Sequence, residues 1–213
     1  LGKAFKVRQH QSGQFSYTGC KNSWRKLQTP LLGRYQVQNA ALALAACELL
    51  INDQVAISFE SIKQGLANTC WPGRLEIVCE HPTVILDGAH NLMAARNLAK
   101  YLAENLAGRR LTLVIGILDD KPYRSMLNSL LPDCSRAIIT RAQSQRALKP
   151  EKLYAIAKKS LADVSIIPDV AAAVRNAIET AGSDDVICVA GSLYVVGEAK
   201  EAIEKGLLKS LKV

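Results

Sequence analysis

The chain has 213 residues, 49% of them hydrophobic and 22% charged, with 27 basic against 19 acidic side chains and a formal charge of +8. That mixture excludes a disordered chain, which carries far fewer apolar residues. The longest apolar stretch, Ala40 to Cys47, stops at Glu48 and falls well short of the roughly 20 residues that a membrane helix needs.

The first residue is Leu1 rather than Met, so the chain reads as a piece of something longer, and no signal-peptide pattern opens it. Residues 1–35 carry short alternating runs such as Gln14-Phe15-Ser16-Tyr17, which predict a few strands or a hairpin. Gln36 to Ile51 is rich in Ala and Leu and apolar almost all round, so a helix buried on most of its faces is expected. A second, shorter helix is expected from about Ser58 to Ala67, with Ser58 as its N-cap.

Trp71-Pro72-Gly73 breaks the pattern. Beyond it, β-rich runs (Leu75–Cys79, Thr83–Leu86, Leu111–Ile117, Ala137–Thr140, Val164–Ile167, Val186–Ala190) alternate with helical stretches near 92–106, 123–131, 151–161, 169–181 and 193–205. Pro122 and Pro150 suit first helical positions. The alternation predicts an α/β domain with a Rossmann-like, mostly parallel sheet and helices on both faces. Residues 71–213 therefore read as a complete domain. Residues 1–70 read as the tail of another, too short to complete a sheet alone.

The six cysteines show no CxxC or zinc spacing, and buried free thiols are the simplest reading. Basic residues are scattered and aromatics make up only 5%, which argues against a nucleic-acid stacking surface. An anionic small substrate and a merely solvated basic surface both remain open.

Ligands of open parallel sheets bind beyond the carboxyl ends of the strands, and three such ends carry unusual polar residues. Asp87-Gly88-Ala89-His90-Asn91 follows the second run. Asp87 can accept hydrogen bonds from ribose hydroxyls, Gly88 permits a tight turn, His90 projects near the same edge, and Asn91 can cap the next helix. The blander alternative is a turn in which Asp87 and Asn91 satisfy only backbone groups. Gly191-Ser192 follows the last run, placing a hydroxyl and free N–H groups at a helix start, either as a carboxylate or phosphate site or as an ordinary cap. Asp119-Asp120-Lys121 follows the third run and reads as a solvated loop. Upstream, Asn39 can cap its helix or present its amide to a heterocycle, and Arg74 can bridge to a phosphate or pair with a carboxylate. No GxxxxGK[ST] loop and no GxGxxG occurs, so the chain holds no phosphate cradle of its own.

Four blocks occur in order: Leu32-Gly33-Arg34-Tyr35-Gln36-Val37-Gln38-Asn39-Ala40-Ala41, Trp71-Pro72-Gly73-Arg74-Leu75-Glu76, Ile85-Leu86-Asp87-Gly88-Ala89-His90-Asn91, and Ala190-Gly191-Ser192-Leu193-Tyr194. Together they resemble the C-terminal half of the folylpolyglutamate synthase family, of the bacterial type that also acts as dihydrofolate synthase, within the Mur ligase superfamily. The sequence departs from the family pattern at Tyr35, where His often stands, at Leu92, where Pro is common, and at Pro122, where an acidic residue is usual. Lys121 is therefore given no role.

The resemblance implies an ATP-dependent ligase that joins L-glutamate to a folate, or to dihydropteroate, through an acyl phosphate. It implies that Asn39 meets the adenine, Arg74 the phosphates and Asp87 the ribose, while His90 and Ser192 meet the incoming glutamate. Residues 1–70 would be the C-terminal part of a central ATPase domain and 71–213 the glutamate ligase domain, hinged at Trp71–Gly73. Magnesium is expected of the whole enzyme, with its ligands and the phosphate loop in a missing N-terminal half and none in this chain. The resemblance further implies a cytoplasmic monomer, inactive as this half alone, with no nucleic-acid or membrane partner. Another Mur-type amino-acid ligase of cell-wall synthesis and a non-catalytic nucleotide-binding module are the alternatives.

Overall fold

The computed structural model describes residues 2–10 and 13–207 and divides the chain into two compact units, Leu1–Trp71 and Pro72–Val213. In the first, β1 (Lys6–Gln9), β2 (Phe15–Thr18) and β3 (Ser23–Leu27) form an antiparallel sheet in the order β1-β2-β3. Two helices follow, α1 (Arg34–Asn52) and α2 (Phe59–Ala67). The few strands expected in residues 1–35 form this small sheet, in which β2 buries every second side chain and β3 buries Trp24 and Leu27. Phe15, Tyr17, Trp24 and Leu27 join Val37, Ala41, Leu44 and Ile62 in one core. The Tyr17 and Trp24 rings stack with centroids 5.2 Å apart.

Helix α1 is not buried on most faces. Its buried positions, Gln36, Val37, Ala40, Ala41, Leu44 and Glu48, fall on one stripe. Leu42, Leu49 and Leu50 on the remaining surface are 57%, 64% and 46% exposed. The apolar composition of the helix exceeds what a three-stranded sheet can cover. Ser58 caps α2, accepting the Ser61 N–H at 3.0 Å.

One buried charge organises this unit. The Glu48 carboxylate accepts the Tyr17 hydroxyl at 2.8 Å and the backbone N–H groups of Lys21 (2.6 Å), Asn22 (2.7 Å) and Cys20 (3.2 Å). It satisfies the turn between β2 and β3 from the side of α1. Burial pushes this carboxyl upward, but the N–H groups of Lys21, Asn22 and Cys20 and the Tyr17 hydroxyl outweigh it and hold the group below its ordinary value. A Cβ on Gly19 would lie 1.8 Å from Glu48 Oε2, so the turn closes only around glycine.

The second unit holds a six-stranded sheet in the order β4-β5-β9-β6-β7-β8. Its strands are β4 (Glu76–Glu80), β5 (Thr83–Asp87), β6 (Leu111–Ile115), β7 (Arg136–Ile139), β8 (Val164–Ile166) and β9 (Val186–Ala190). Only β4 runs antiparallel to its neighbour; the other pairs are parallel. The helices are α3 (Leu92–Asn105), α4 (Tyr123–Leu130), α5 (Pro150–Ala157), α6 (Val170–Glu179) and α7 (Leu193–Ala202). Every residue of β5, β6 and β9 is buried, as strands covered on both faces require. Alternate residues Val84, Leu86, Val114, Ile138, Ile187 and Val189 pack against α6 and α7. Helices α3, α4 and α5 pack beside one another. Pro150 opens α5 as expected, whereas Pro122 sits one residue before α4.

The chain leaves β5, enters β6 two places along the sheet, and fills the place between them last, with β9. The exits of β5 and β9 therefore lie side by side, Asp87 opposite Ala190. This brings the blocks around residues 87–91 and 190–194 together, although a hundred residues of chain part them.

Candidate functional site

Beyond Asp87 the chain makes a short loop into α3. Asn91 caps that helix, its Oδ1 accepting the Ala94 N–H at 2.9 Å. The Gly88 carbonyl accepts two side chains, Arg74 Nη1 at 2.9 Å and His90 Nδ1 at 2.9 Å. A carbonyl only accepts, so Nδ1 of His90 carries the proton, and in the neutral ring Nε2 keeps its lone pair. Gly88 is a glycine for space and not for a left-handed turn. A Cβ there would fall 2.3 Å from Leu193 Cδ2 and 2.8 Å from Arg74 Nη1.

Arg74 rides on a loop that is strained and tightly tied. Gly73 and Leu75 both have left-handed backbones, at φ 69° and φ 48°. For leucine this conformation costs about 1–2 kcal/mol, so the surroundings must hold it. The Gly73 carbonyl accepts the Gly88 N–H at 2.7 Å. The Leu75 N–H donates to Asp87 Oδ2 at 2.9 Å. The Gly73 N–H donates to Glu76 Oε2 at 2.7 Å, and Glu76 Oε1 accepts Lys200 Nζ at 2.6 Å. Arg74 itself is half-buried, and its Nε and Nη2 make no hydrogen bond to the described residues.

Asp87 is only 3% exposed. Burial raises its carboxyl above the usual range, opposed by the Leu75 N–H, the Arg74 charge, the Ala89 N–H and His90. The carboxylate thus does backbone work that sequence alone left as the blander alternative. Its oxygens still have further lone pairs to offer a hydroxyl.

On the neighbouring strand, Gly191 turns the chain with φ 105°, and a Cβ there would lie 2.6 Å from the Gly116 carbonyl oxygen. Conformation and space both demand glycine at this exit. Ser192 is 2% exposed and caps α7, its Oγ accepting the Val195 N–H at 3.1 Å. The cap reading holds, and the hydroxyl still has its proton to donate. Arg74 and His90 are thus joined through the Gly88 carbonyl, Asp87 holds the Arg74 loop through the Leu75 N–H, and Ser192 stands at the adjoining strand end.

Asn39 belongs to the first unit. It does not cap α1, which begins after Gly33 without a side-chain cap. Instead it lies in the second turn, exposed, with Nδ2 donating to Gln36 Oε1 at 2.9 Å. In the Asp119–Lys121 loop, Asp120 is partnered: Lys121 Nζ and Arg146 Nη2 each reach Oδ2 at 2.8 Å. These two cations hold its carboxyl below the ordinary range. All six cysteines are free, but only Cys134 and Cys188 are buried, while Cys20 and Cys70 are exposed. Four of the thiols therefore do not fit the expectation of burial, because their runs lie in loops or on partly open faces. Burial pushes the Cys134 thiol up to about 12, and Cys188 also well above its ordinary value, so neither is a nucleophile near neutrality.

Among the described residues, no group of three or more His, Cys, Asp or Glu is placed to hold a metal ion. None of the described helices is long and apolar enough to cross a membrane. Glu76 and Lys200 were not singled out from sequence. Glu76 lies inside the Trp71–Glu76 block, but nothing local points to a partner far along the chain.

The pattern of the "Mur ligase, glutamate ligase domain" family matches residues 73–193. The dihydrofolate synthase/folylpolyglutamate synthase of Bacillus subtilis is 35% identical over 193 residues, covering 90% of this chain and 44% of that protein. E. coli FolC in complex with DHPP and ADP superimposes with a TM-score of 0.85 at 27% identity, covering 96% of this chain and 47% of that one. A folylpolyglutamate synthase/dihydrofolate synthase from Yersinia pestis, complexed with AMPPNP and a Mn ion, gives 0.80 at 29% identity, covering 95% and 46%. The chain spans less than half the length of the curated relatives it matches, 44% and 46% for those from Bacillus subtilis and Lacticaseibacillus casei. With its pattern running from the Arg74 loop to the start of α7, residues 73–193, the chain belongs to the family of the Mur ligase glutamate ligase domain.

Proposed function

We propose that this chain is the C-terminal half of a folylpolyglutamate synthase/dihydrofolate synthase that uses ATP to join L-glutamate to a folate or to dihydropteroate. The observation that carries the reading is the Gly88 carbonyl, which gathers a guanidinium and an imidazole beside a buried carboxylate at two adjoining strand exits. Such exits are where open α/β sheets bind ligands. When bound, ATP supplies a phosphoryl group that activates the acceptor's carboxylate for attack by the glutamate amine.

Each residue has a distinct task in this reading. Arg74 presents its remaining N–H groups to phosphate oxygens and stabilises charge that grows during transfer. Asp87 accepts from ribose hydroxyls. His90 Nε2 accepts a proton from the glutamate amine as the amide forms. The hydroxyl of Ser192 and the start of α7 meet a glutamate carboxylate. Asn39 offers its exposed amide to adenine, on the reading that residues 1–70 belong to a central ATPase domain. Magnesium ligands, on this reading, belong to the other half of the enzyme. A cytoplasmic monomer hinged at Trp71–Gly73 fits the same reading.

Assays of the complete ligase with dihydropteroate, a reduced folate and a cell-wall nucleotide precursor test the proposal. Glutamate-dependent ADP release with either pterin substrate supports it; turnover with the cell-wall precursor alone assigns the chain to another Mur-type ligase. Ser192→Ala is expected to raise KM for glutamate about tenfold, as loss of a hydrogen bond to a charged group does, and His90→Ala is expected also to lower kcat by about 10²-fold, as loss of a general base does. ATP KM should move little. Ser192→Ala should also lower thermal stability through loss of the cap, by about 1 kcal/mol.

A further inference from the structure

The strained loop that carries Arg74 is tied to the helix that starts at Ser192 through the Glu76 carboxylate. Glu76 Oε2 accepts the N–H of left-handed Gly73, and Oε1 accepts Lys200 Nζ at 2.6 Å. Lys200 lies two turns along α7 from Ser192. The two side chains are 24% and 29% exposed, so water screens the pair only in part. From this geometry we infer that Glu76 and Lys200 are positioning residues, which set the place of the Arg74 guanidinium and couple it to the N-terminal end of α7. The inference rests on the proposed reading, in which Arg74 meets phosphate and the start of α7 meets glutamate.

The physical case is one of restraint. A left-handed Leu75 relaxes toward ordinary backbone wherever its neighbours allow. Gly73 and Leu75 flank Arg74, and each is held by one carboxylate, Glu76 on one side and Asp87 on the other. Asp87 is fixed within β5, but Glu76 begins the edge strand β4, whose burial is partial. The backbone of Glu76 is paired with Leu86, and Lys200 anchors its side chain. Release of this anchor lets the guanidinium drift, and a displacement of about 1 Å at a reacting group costs on the order of 10²-fold in rate.

The test is a double-mutant cycle in the complete ligase with Glu76→Gln, Lys200→Met and the pair together. Kinetics for ATP and glutamate are read alongside the thermal midpoint. Each single change is expected to lower kcat/KM for ATP by about tenfold or more, with the pair no worse than either alone. Lys200→Arg, which keeps the cation, should retain most of the activity. Additive losses, or losses that vanish when rates are scaled to the folded fraction, would overturn the inference. Arg74→Ala measured in parallel separates the two levels. If Arg74→Ala is damaging but the cycle is silent, only the positioning role falls. If Arg74→Ala is silent too, the reading of the site falls with it.

Discussion

Arg74→Ala in the complete ligase is expected to lower kcat/KM for ATP by about 10²–10³-fold, the loss typical when a preorganised charge is removed from a developing anion. The argument starts from how much structure is committed to this one side chain. Its loop holds two left-handed residues, and its Nη1 is bonded to the Gly88 carbonyl. The Gly73 carbonyl and Leu75 N–H on either side bond to Gly88 and Asp87. Such ties cost nothing at the moment of reaction, because the guanidinium is in place beforehand. Arg74→Lys should recover little, since an ammonium lacks the planar fork that serves the Gly88 carbonyl and an anion together. Steady-state kinetics with ATP varied at saturating glutamate reads the effect. Unchanged kinetics for the alanine variant would remove the phosphate assignment.

Glu48→Ala is expected to unfold or severely loosen the first unit, costing about 3 kcal/mol or more. The substitution strands the buried Tyr17 hydroxyl and takes the shared acceptor from the part-buried N–H groups of Lys21, Asn22 and Cys20. Each buried donor left without a partner costs about 1–3 kcal/mol. Hydrogen exchange of the Lys21 and Asn22 amides is the direct measure, and protection there should collapse first. The same carboxylate gives a pH signature. Its folded pKa lies below the unfolded one, so its stabilisation is complete above the unfolded value. It fades as the pH falls through the folded value. Acid should therefore weaken the first unit of the native chain below about pH 4.3, the unfolded value. Glu48→Gln should be weaker throughout and flatter across that range. Identical acid profiles for the two would contradict this account.

The difference between what could be read ahead and what could not follows from distance along the chain. The strands of the second unit were legible because β5, β6 and β9 are buried on both faces and so appear as continuous apolar runs. Asn91, Ser58 and Ser192 were legible as caps because a cap and its partner are three residues apart. Glu48 was read only as the end of an apolar run, since its partners lie 26 to 31 residues upstream. Lys200 and Glu76 are 124 residues apart, and no local pattern encodes such a pairing. Helix α1 misled in the opposite way. Its composition counts apolar residues without saying how much surface is at hand to cover them, and Leu42 and Leu49 stay exposed.

Within the site, residue types were legible but the links between them were not. Asp87 and His90 were marked by their place after a strand, and Arg74 by its place after Pro72-Gly73. That a backbone carbonyl, Gly88, is the atom joining Arg74 to His90 depends on the three-dimensional path of two loops. Its place after a strand suggests that Gly88 serves a tight turn, whereas the space taken by Leu193 and Arg74 is what excludes a side chain there.

The most direct test is a crystal structure of the complete ligase with a non-hydrolysable ATP analogue and L-glutamate. The proposed site requires the terminal phosphates within hydrogen-bonding distance of Arg74, a ribose hydroxyl on Asp87, and the glutamate between His90 and Ser192. A nucleotide bound with no phosphate near Arg74, or glutamate held elsewhere, would contradict it.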